Sequence, residues 1–211
     1  MKYSIKEMHY TLQGEGARSG RAAVFCRFSG CNLWSGREKD RTKAICNFCD
    51  TDFVGTNGHK GGVYKDANSL AAKIAENWPK QINSKPYVVF TGGEPLLQLN
   101  QPLISAMHER YFEIAIETNG TIAVPNNINW VCVSPKRGSK QIVLKGNELK
   151  LIYPQQGIDI DHLESLEFEH LFIQPMDNKN YTQNLSDSVD FCLKNPRWRL
   201  SIQTHKILGI P

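Results

Sequence analysis

Residues 87–120 read YVVFTGGEPLLQLNQPLISAMHERYFEIAIETNG and decide the fold class. The segment opens and closes with short apolar runs, Tyr87–Thr91 and Glu113–Glu117, whose β-branched and aromatic residues are typical of strands. Between them, residues 95–111 predict a helix, because four apolar side chains recur at helical spacing: Leu99, Leu103, Ile104 and Met107. A strand, a helix and a second strand within this length predict two parallel strands joined by a crossover helix.

The same alternation continues along the chain. Further strand-like runs cover residues 22–29, 130–134, 148–153, 171–174 and 199–204, and helical patterns cover 69–78 and 184–194, where Leu185, Val189 and Cys192/Leu193 share one face. Six or seven strands in 211 residues are too few for a closed eight-unit barrel. We therefore predict an α/β fold, an incomplete, splayed TIM-like barrel with parallel strands and outer helices, in a single domain over residues 1–211.

Composition and charge exclude several classes of protein. The chain is 40% hydrophobic and 22% charged, and it has neither eighteen consecutive apolar residues nor the apolar core of a signal peptide in MKYSIKEMHY. We expect a cytoplasmic protein without a membrane partner. The net charge of +4 is too small to indicate a nucleic-acid partner. Residues 136–150 contain five basic side chains, which either form a solvated face or turn partly toward an anionic ligand.

Unusual polar residues follow the predicted strands at their carboxyl ends. These residues lie in the loop with Cys31, Cys46 and Cys49, in the segments 92–94, 117–120, 134–136 and 174–177, and at Gln203 and His205. In parallel α/β folds all these strand ends meet at one rim, where active sites are assembled. Several polar clusters on one rim indicate an enzyme.

Four of the six cysteines lie between positions 26 and 49, and this crowding indicates a metal site. Cys26 shares a strand face with Val24 and Phe28, which favours a buried apolar role. Three cysteines then remain, a number that suits an iron–sulfur cluster with one open iron, since structural zinc takes four ligands. A zinc site completed by Cys26 or His59 is the alternative.

Six strings in the chain resemble the radical S-adenosylmethionine superfamily. They are FCRFSGCNL (25–33), CNFCDT (46–51), FTGGEP (90–95), ETNG (117–120), SPK (134–136) and IQPMD (173–177). Within that superfamily, TLQGEG (11–16) and the CDT at 49–51 resemble the 7-carboxy-7-deazaguanine synthase family of deazapurine and queuosine biosynthesis. The resemblance runs from Gln13 to Pro211. One departure from the superfamily pattern is an insert, SGREKDRTKAI at 35–45, which places fourteen residues between Cys31 and Cys46 instead of three.

The resemblance implies two cofactors and a metal ion. Cys31, Cys46 and Cys49 would hold a 4Fe-4S cluster, whose open iron binds S-adenosylmethionine, and Thr51 would ligate Mg2+. The residues implied in cofactor binding are Phe48, Cys49, Asp50, Gly92, Gly93, Glu94, Ser134, Pro135, Lys136, Gln174, Pro175, Met176 and Asp177.

The resemblance also implies a reaction, the ring contraction of 6-carboxy-5,6,7,8-tetrahydropterin to 7-carboxy-7-deazaguanine with loss of ammonia. The implied catalytic residues are Glu15, Arg27, Glu117 and His205. The implied substrate-binding residues are Leu12, Gln13, Gly14, Glu15, Arg27, Thr91, His205 and Pro211, the last through its carboxylate. An external one-electron donor and a homodimer are expected as well.

Two alternatives stay open at this point. One is another small radical S-adenosylmethionine enzyme, such as a glycyl-radical activase, which TLQGEG and CDT disfavour. The other is a zinc-stabilised RNA-binding domain that uses the basic segment 136–150.

Overall fold

The computed structural model describes every residue from Met1 to Pro211. Its centre is one sheet of nine strands in the spatial order β3-β1-β2-β4-β5-β6-β7-β8-β9. The strands are β1 (Tyr3–Leu12), β2 (Ala22–Phe28), β3 (Gly62–Tyr64), β4 (Tyr87–Gly92), β5 (Glu113–Thr118), β6 (Trp130–Val133), β7 (Lys145–Tyr153), β8 (Glu167–Pro175) and β9 (Trp198–Leu200).

Every neighbouring pair from β2 to β9 is parallel, whereas β1 runs antiparallel to both β2 and β3. Strands β3 and β9 end the order and do not pair with each other, so the barrel stays open. The predicted α/β architecture, a splayed and incomplete TIM-like barrel, is confirmed.

Four α-helices connect strands, namely α1 (Ala67–Asn77), α2 (Gln101–His108), α3 (Ile160–Ser165) and α4 (Tyr181–Lys194), and a fifth, α5 (Thr204–Leu208), follows β9. None of them combines the length and the apolar character needed to cross a bilayer. Helix α2 begins later than predicted because the Asn100 side chain caps it at the Leu103 backbone N–H (3.3 Å). Residues Pro95–Leu97 form a separate 3₁₀ turn.

Strands β3 and β1 were not among the predicted strands. Strand β3 has only three residues, and β1 is irregular. A bulge between Ile5 and Glu7 shifts its alternation by one residue, so that both Ile5 and Lys6 are buried. The regular apolar period that marks the other strands is therefore broken here.

Two further predictions from periodicity were wrong. The run 199–204 is not one strand: β9 ends at Leu200, and the chain turns so that the Thr204 N–H and hydroxyl both donate to the Gly14 carbonyl (3.0 and 2.8 Å). The apolar face predicted for helix α4 is not its buried face, because the helix buries Asn184 and Ser188 whereas Leu193 is 78% exposed.

The main core lies between the first half of the sheet and helices α1 and α2. It contains twenty buried residues, which include Cys26, Phe28, Phe90 and Ile116. A smaller cluster beneath α4 joins β7, β8 and β9. With the outer face of the sheet covered by helices, the polar side chains on its inner face are left to surround a cavity.

Candidate active site

One cavity of about 600 Å³ runs through the open barrel. It begins at the carboxyl ends of the parallel strands. Because β1 is antiparallel, the loop that follows it lies at the opposite end of β2 and closes the cavity from below. The cavity wall includes these residues suggested by the sequence: Leu12, Gln13, Gly14, Glu15, Arg27, Cys31, Cys46, Phe48, Cys49, Asp50, Thr51, Thr91, Gly92, Gly93, Glu117, Ser134, Lys136, Gln174, Pro175, Met176, Asp177, His205 and Pro211.

Three cysteines lie on one side of the cavity, in the long loop between β2 and β3. A hydrogen bond from the Cys46 thiol lowers the pKa of Cys49 to about 6, while burial raises the pKa of Cys31. Cys26 is fully buried in the core and absent from the cavity wall. No group of three His, Cys, Asp or Glu side chains is arranged around a single metal ion, and His59 stacks on His9 with ring centroids 5.1 Å apart.

The insert at 35–45 folds back onto this cysteine loop. It contains a 3₁₀ helix, Glu38–Lys43, from which Arg41 Nη1 donates to the carbonyls of Asn47 (3.0 Å) and Cys49 (3.1 Å). The guanidinium of Arg41 lies 4.1 Å from the centre of the Trp34 ring, close enough for a cation–π contact. The insert therefore supports the Cys46–Cys49 backbone directly.

Gly92 and Gly93 bring the end of β4 against the start of the cysteine loop. A side chain at position 93 would collide with the Gly30 carbonyl and approach the Cys31 Cβ to 2.8 Å, and one at position 92 would collide with the backbone of Phe28. The two glycines are therefore required by contacts within the protein as well as by any ligand.

Glu94 and Pro135 are the two suggested cofactor residues that do not reach the cavity wall. Glu94 is fully buried and accepts hydrogen bonds from Leu96 N (3.0 Å), Thr118 Oγ1 (2.8 Å) and Asn119 N (2.8 Å). Burial raises the pKa of this carboxyl group. In this structure Glu94 joins the loops after β4 and β5.

A half-buried lysine, Lys136, also lines the cavity. Lys136 Nζ donates to the backbone carbonyl (2.8 Å) and the hydroxyl (2.6 Å) of Ser134, and burial lowers its pKa. Of the basic segment 136–150, Lys136 and Lys150 both face the cavity. Part of that segment is thus turned toward the cavity rather than toward solvent.

The floor of the cavity is a network of buried and half-buried polar side chains. Gln13 Nε2 donates to Glu117 Oε1 (3.0 Å), and the Thr91 hydroxyl donates to Glu117 Oε2 (3.2 Å). Lys150 forms an ion pair with Glu15 and lies 3.9 Å from Glu117. Burial alone would raise the pKa of Glu15, but the charge of Lys150 and hydrogen bonds from Lys150 and Gln203 hold it at about 2. We call Gln13, Glu15, Glu117 and Lys150 the carboxylate floor.

Arg27 projects into the cavity from β2, on the opposite face from Cys26. Its Nε donates to Glu7 (2.8 Å), and the terminal nitrogens of the guanidinium make no hydrogen bond within the protein. Glu7 in turn lies 3.4 Å from His9. Arg27 therefore holds a structural ion pair and still presents a two-pronged donor to the cavity.

The chain from Ser201 onward covers the floor. The Ser201 hydroxyl accepts from Gly16 N (2.9 Å), Gln203 Nε2 donates to Glu15 (2.9 Å), and His205 occupies the space that a side chain on Gly14 would need. Ile210 and Pro211 also line the cavity.

Two further cavity residues, Lys150 and Lys206, were not among the suggested site residues, and Gln203 was suggested only as a polar residue at a strand end, without a role. Lys206 pairs with both Asp50 (2.7 Å) and Asp177, which come from different loops. No local pattern indicates these roles, since each depends on a partner distant in the chain. For Lys150 alone, the concentration of basic residues at 136–150 was a signal.

Comparison with known proteins gives close relatives over the full length. The chain is 57% identical over 210 residues to the 7-carboxy-7-deazaguanine synthase of Bradyrhizobium diazoefficiens and 55% identical over 211 residues to that of Burkholderia multivorans, with all of both chains covered in each case. The crystal structure of QueE from Escherichia coli is similar with a TM-score of 0.69 and 28% identity, covering 96% of this chain and 94% of that one. No protein-family model matches the chain.

Proposed function

The chain belongs to the 7-carboxy-7-deazaguanine synthase family, and from this premise we propose that it contracts the ring of 6-carboxy-5,6,7,8-tetrahydropterin to 7-carboxy-7-deazaguanine, with loss of ammonia, by radical S-adenosylmethionine chemistry. The observation that carries the proposal is a single cavity with three cysteines on one side and half-buried carboxylates with an arginine on the other. Neither the activase nor the zinc-stabilised RNA-binding alternative is favoured by these relatives.

The cysteine side fits a 4Fe-4S cluster. Cys31, Cys46 and Cys49 all reach the cavity, and three thiol ligands leave one iron of such a cluster open. When bound, the cluster and S-adenosylmethionine supply a 5'-deoxyadenosyl radical that removes a hydrogen atom from the substrate. An external one-electron donor belongs to this proposal.

Residues beside the cysteines suit S-adenosylmethionine. The backbone of Phe48–Asp50 and of Gly92–Gly93 borders the cavity, as do Ser134, Lys136 and the stretch Gln174–Asp177. The Lys136 ammonium can shift from Ser134 to a ligand carboxylate with little movement, because Ser134 is two residues away. Glu94 and Pro135 would act through the loops that they hold.

The carboxylate floor suits the guanidine-like edge of a pterin, which presents N–H donors. Glu15 and Glu117 are acceptors there, and Arg27 can bind the substrate carboxylate with its two terminal nitrogens. The other proposed substrate contacts are Leu12, Gln13, Gly14, Thr91, His205 and Pro211.

Thr51 is the proposed Mg2+ ligand. Its hydroxyl lies 3.4 Å from Asp50 Oδ1, and both side chains face the cavity. A hydroxyl oxygen is a hard ligand that can coordinate Mg2+ together with water and substrate oxygens. Lys206 pairs with Oδ2 of Asp50, so Oδ1, the oxygen beside Thr51, is left to orient water around the ion.

A homodimer completes the proposal. The open sheet ends in β3 and β9, whose outer edges carry unpaired backbone groups. A second copy of the chain would cover such an edge. Light scattering of the purified protein gives its molar mass in solution and so tests whether it is a dimer.

The proposed function is tested by anaerobic reconstitution with iron and sulfide. We expect about four irons and four acid-labile sulfides per chain, as a 4Fe-4S cluster requires. The loaded enzyme should then convert the pterin and release one ammonia for each product formed. A preparation that binds zinc instead, or that carries the cluster without acting on the pterin, contradicts the proposal.

A further inference from the structure

A buried ammonium group lies at the centre of the carboxylate floor. Lys150 projects from the middle of β7, is 4% exposed, and reaches the cavity. Its Nζ contacts Glu15 and lies 3.9 Å from Glu117 Oε1. None of the roles proposed above uses this side chain.

The two carboxylates that Lys150 contacts come from unrelated parts of the fold. Glu15 belongs to the loop after the antiparallel strand β1, and Glu117 belongs to the parallel strand β5. Lys150 is the only lysine or arginine that forms an ion pair with either of them. Two carboxylates that face one partly dehydrated cavity repel each other, and the ammonium between them offsets this repulsion.

The remaining partners of the two carboxylates are neutral donors. Gln203 donates to Glu15, while Gln13 and Thr91 donate to Glu117. These bonds orient the oxygen atoms but add no charge. Each carboxylate oxygen has more than one acceptor site, so acceptor capacity is left for a ligand.

Other titratable groups near Lys150 and Glu15 come from β7 itself and from four other parts of the fold. Cys132 of β6 and Glu148 of β7 lie close to its ammonium, and burial raises the pKa of each. His205 of α5 and Asp50 of the cysteine loop influence Glu15, and Lys136 repels Lys150 across the cavity. None of these groups replaces the direct contact of Lys150 with Glu15.

We propose that Lys150 is a positioning residue that holds Glu15 and Glu117 together, both ionised, as a paired acceptor for the N–H groups of the pterin. The inference rests on the proposed function, because the pterin supplies the donors. Lys150 acts through the two carboxylates and requires no contact with the reacting atoms.

A substitution that removes the Lys150 ammonium changes the protonation state of Glu15. Burial then dominates and raises the pKa of Glu15, so the carboxyl group takes up a proton. The protonated Glu15 carboxyl group then presents an O–H donor to the N–H donors of the pterin, so the affinity for the pterin falls. Since deprotonation restores the acceptor, affinity in such a variant rises with increasing pH, whereas the native Glu15 stays ionised throughout the neutral range.

The test is pterin binding to the loaded enzyme, measured anaerobically by calorimetry from about pH 6 to 9. We expect Lys150→Met to lose between about ten- and a hundredfold in affinity at pH 7, the range for a charge-assisted hydrogen bond, and to regain part of it at pH 9. Lys150→Arg, which keeps the charge, should show a smaller loss and a flat profile. Iron content and S-adenosylmethionine binding should match the wild type in both.

A purely structural role for Lys150 would weaken binding equally at every pH, and that result overturns the inference, as does unchanged affinity in Lys150→Met. If Lys150→Met does not fold, Glu15→Gln is compared with the double variant Glu15→Gln/Lys150→Met, which leaves no unpaired charge at Glu15. The double variant should bind the pterin about tenfold more weakly because Glu117 loses its cation, and equal affinity refutes the inference. Wild-type enzyme that binds no pterin contradicts the proposed function instead.

Discussion

The two sides of the cavity are built in different ways. The cysteine loop, residues 31–53, contains no strand, and it is stabilised internally by Arg41 and by the edge-on packing of Trp34 and Phe53. Ion pairs of Asp52 with Lys6 and of Asp50 with Lys206 join it to the rest of the protein. The carboxylate floor draws Glu117 and Lys150 from two central strands and covers them with the loop after β1. One side is an irregular loop, and the other is part of the sheet.

This difference separates two kinds of preorganisation. In the floor, each charged group already has a partner within the protein, so its geometry does not depend on a ligand. The cysteines form no ion pair with a cation, and a metal cluster would add bonds to a segment that contains no strand. We therefore expect changes in the loop to act on cofactor loading and changes in the floor to act on substrate affinity.

The largest effect is expected from the cysteines. Cys31→Ala, Cys46→Ala and Cys49→Ala should each abolish cluster assembly, because each removes the ligand of a different iron. Iron and acid-labile sulfide after anaerobic reconstitution provide the measurement. Cys26→Ala is the matched control: it deletes a buried thiol of the core and should leave the iron content unchanged. Loss of iron in the control would favour a four-cysteine site.

The next largest effect should come from the carboxylate floor, where a change should lower pterin affinity and leave the iron content unchanged. Glu117→Gln keeps the shape of the side chain but replaces one acceptor oxygen with a donor, so pterin affinity should fall between about ten- and a hundredfold with full iron content. Glu167→Gln, an exposed change at the start of β8, is the control. If Glu117→Gln loses its cluster instead, the two sides of the cavity are not separable.

Arg41 tests whether the insert supports the loop. Arg41→Met removes both hydrogen bonds to the Cys46–Cys49 backbone and the charge over Trp34, while its apolar stem still covers the ring. The cluster should form but be lost to a chelator several times faster, since about 1–3 kcal/mol of loop contacts is gone. Lys39→Met, at an exposed position of the same insert, should behave as the wild type. Equal rates of iron loss in the two variants would exclude this support.

The smallest effect is expected at Thr51, on the boundary between the two sides. Thr51→Ala should weaken the dependence of turnover on added Mg2+ and leave uncoupled cleavage of S-adenosylmethionine nearly unchanged, because the cofactor contacts lie elsewhere. Titration of both activities with Mg2+ is the measurement. An unaltered Mg2+ response removes Thr51 from the proposed ligands.

Local pattern predicted most of the sheet but failed where long-range contacts override it. Most of the strands from β4 to β8 follow apolar runs that are visible in the sequence, whereas β7 alternates apolar residues with the buried Glu148 and Lys150. Strand β1 has a bulge and charged residues, and the run after β9 breaks because Thr204 bonds to Gly14, 190 residues earlier. Periodicity carries no information about such contacts.

The sequence by itself determined the parallel α/β class, the three-cysteine loop and the placement of polar residues at strand ends, because these features depend on local spacing and strand direction. Only the tertiary structure decided that Glu94 holds two loops inside the protein, that Arg41 of the insert supports the cysteine backbone, and that Lys150 joins two carboxylates. The physical reason is that hydrogen bonds and ion pairs depend on distances of a few ångströms between residues far apart in the chain, and the fold alone sets those distances.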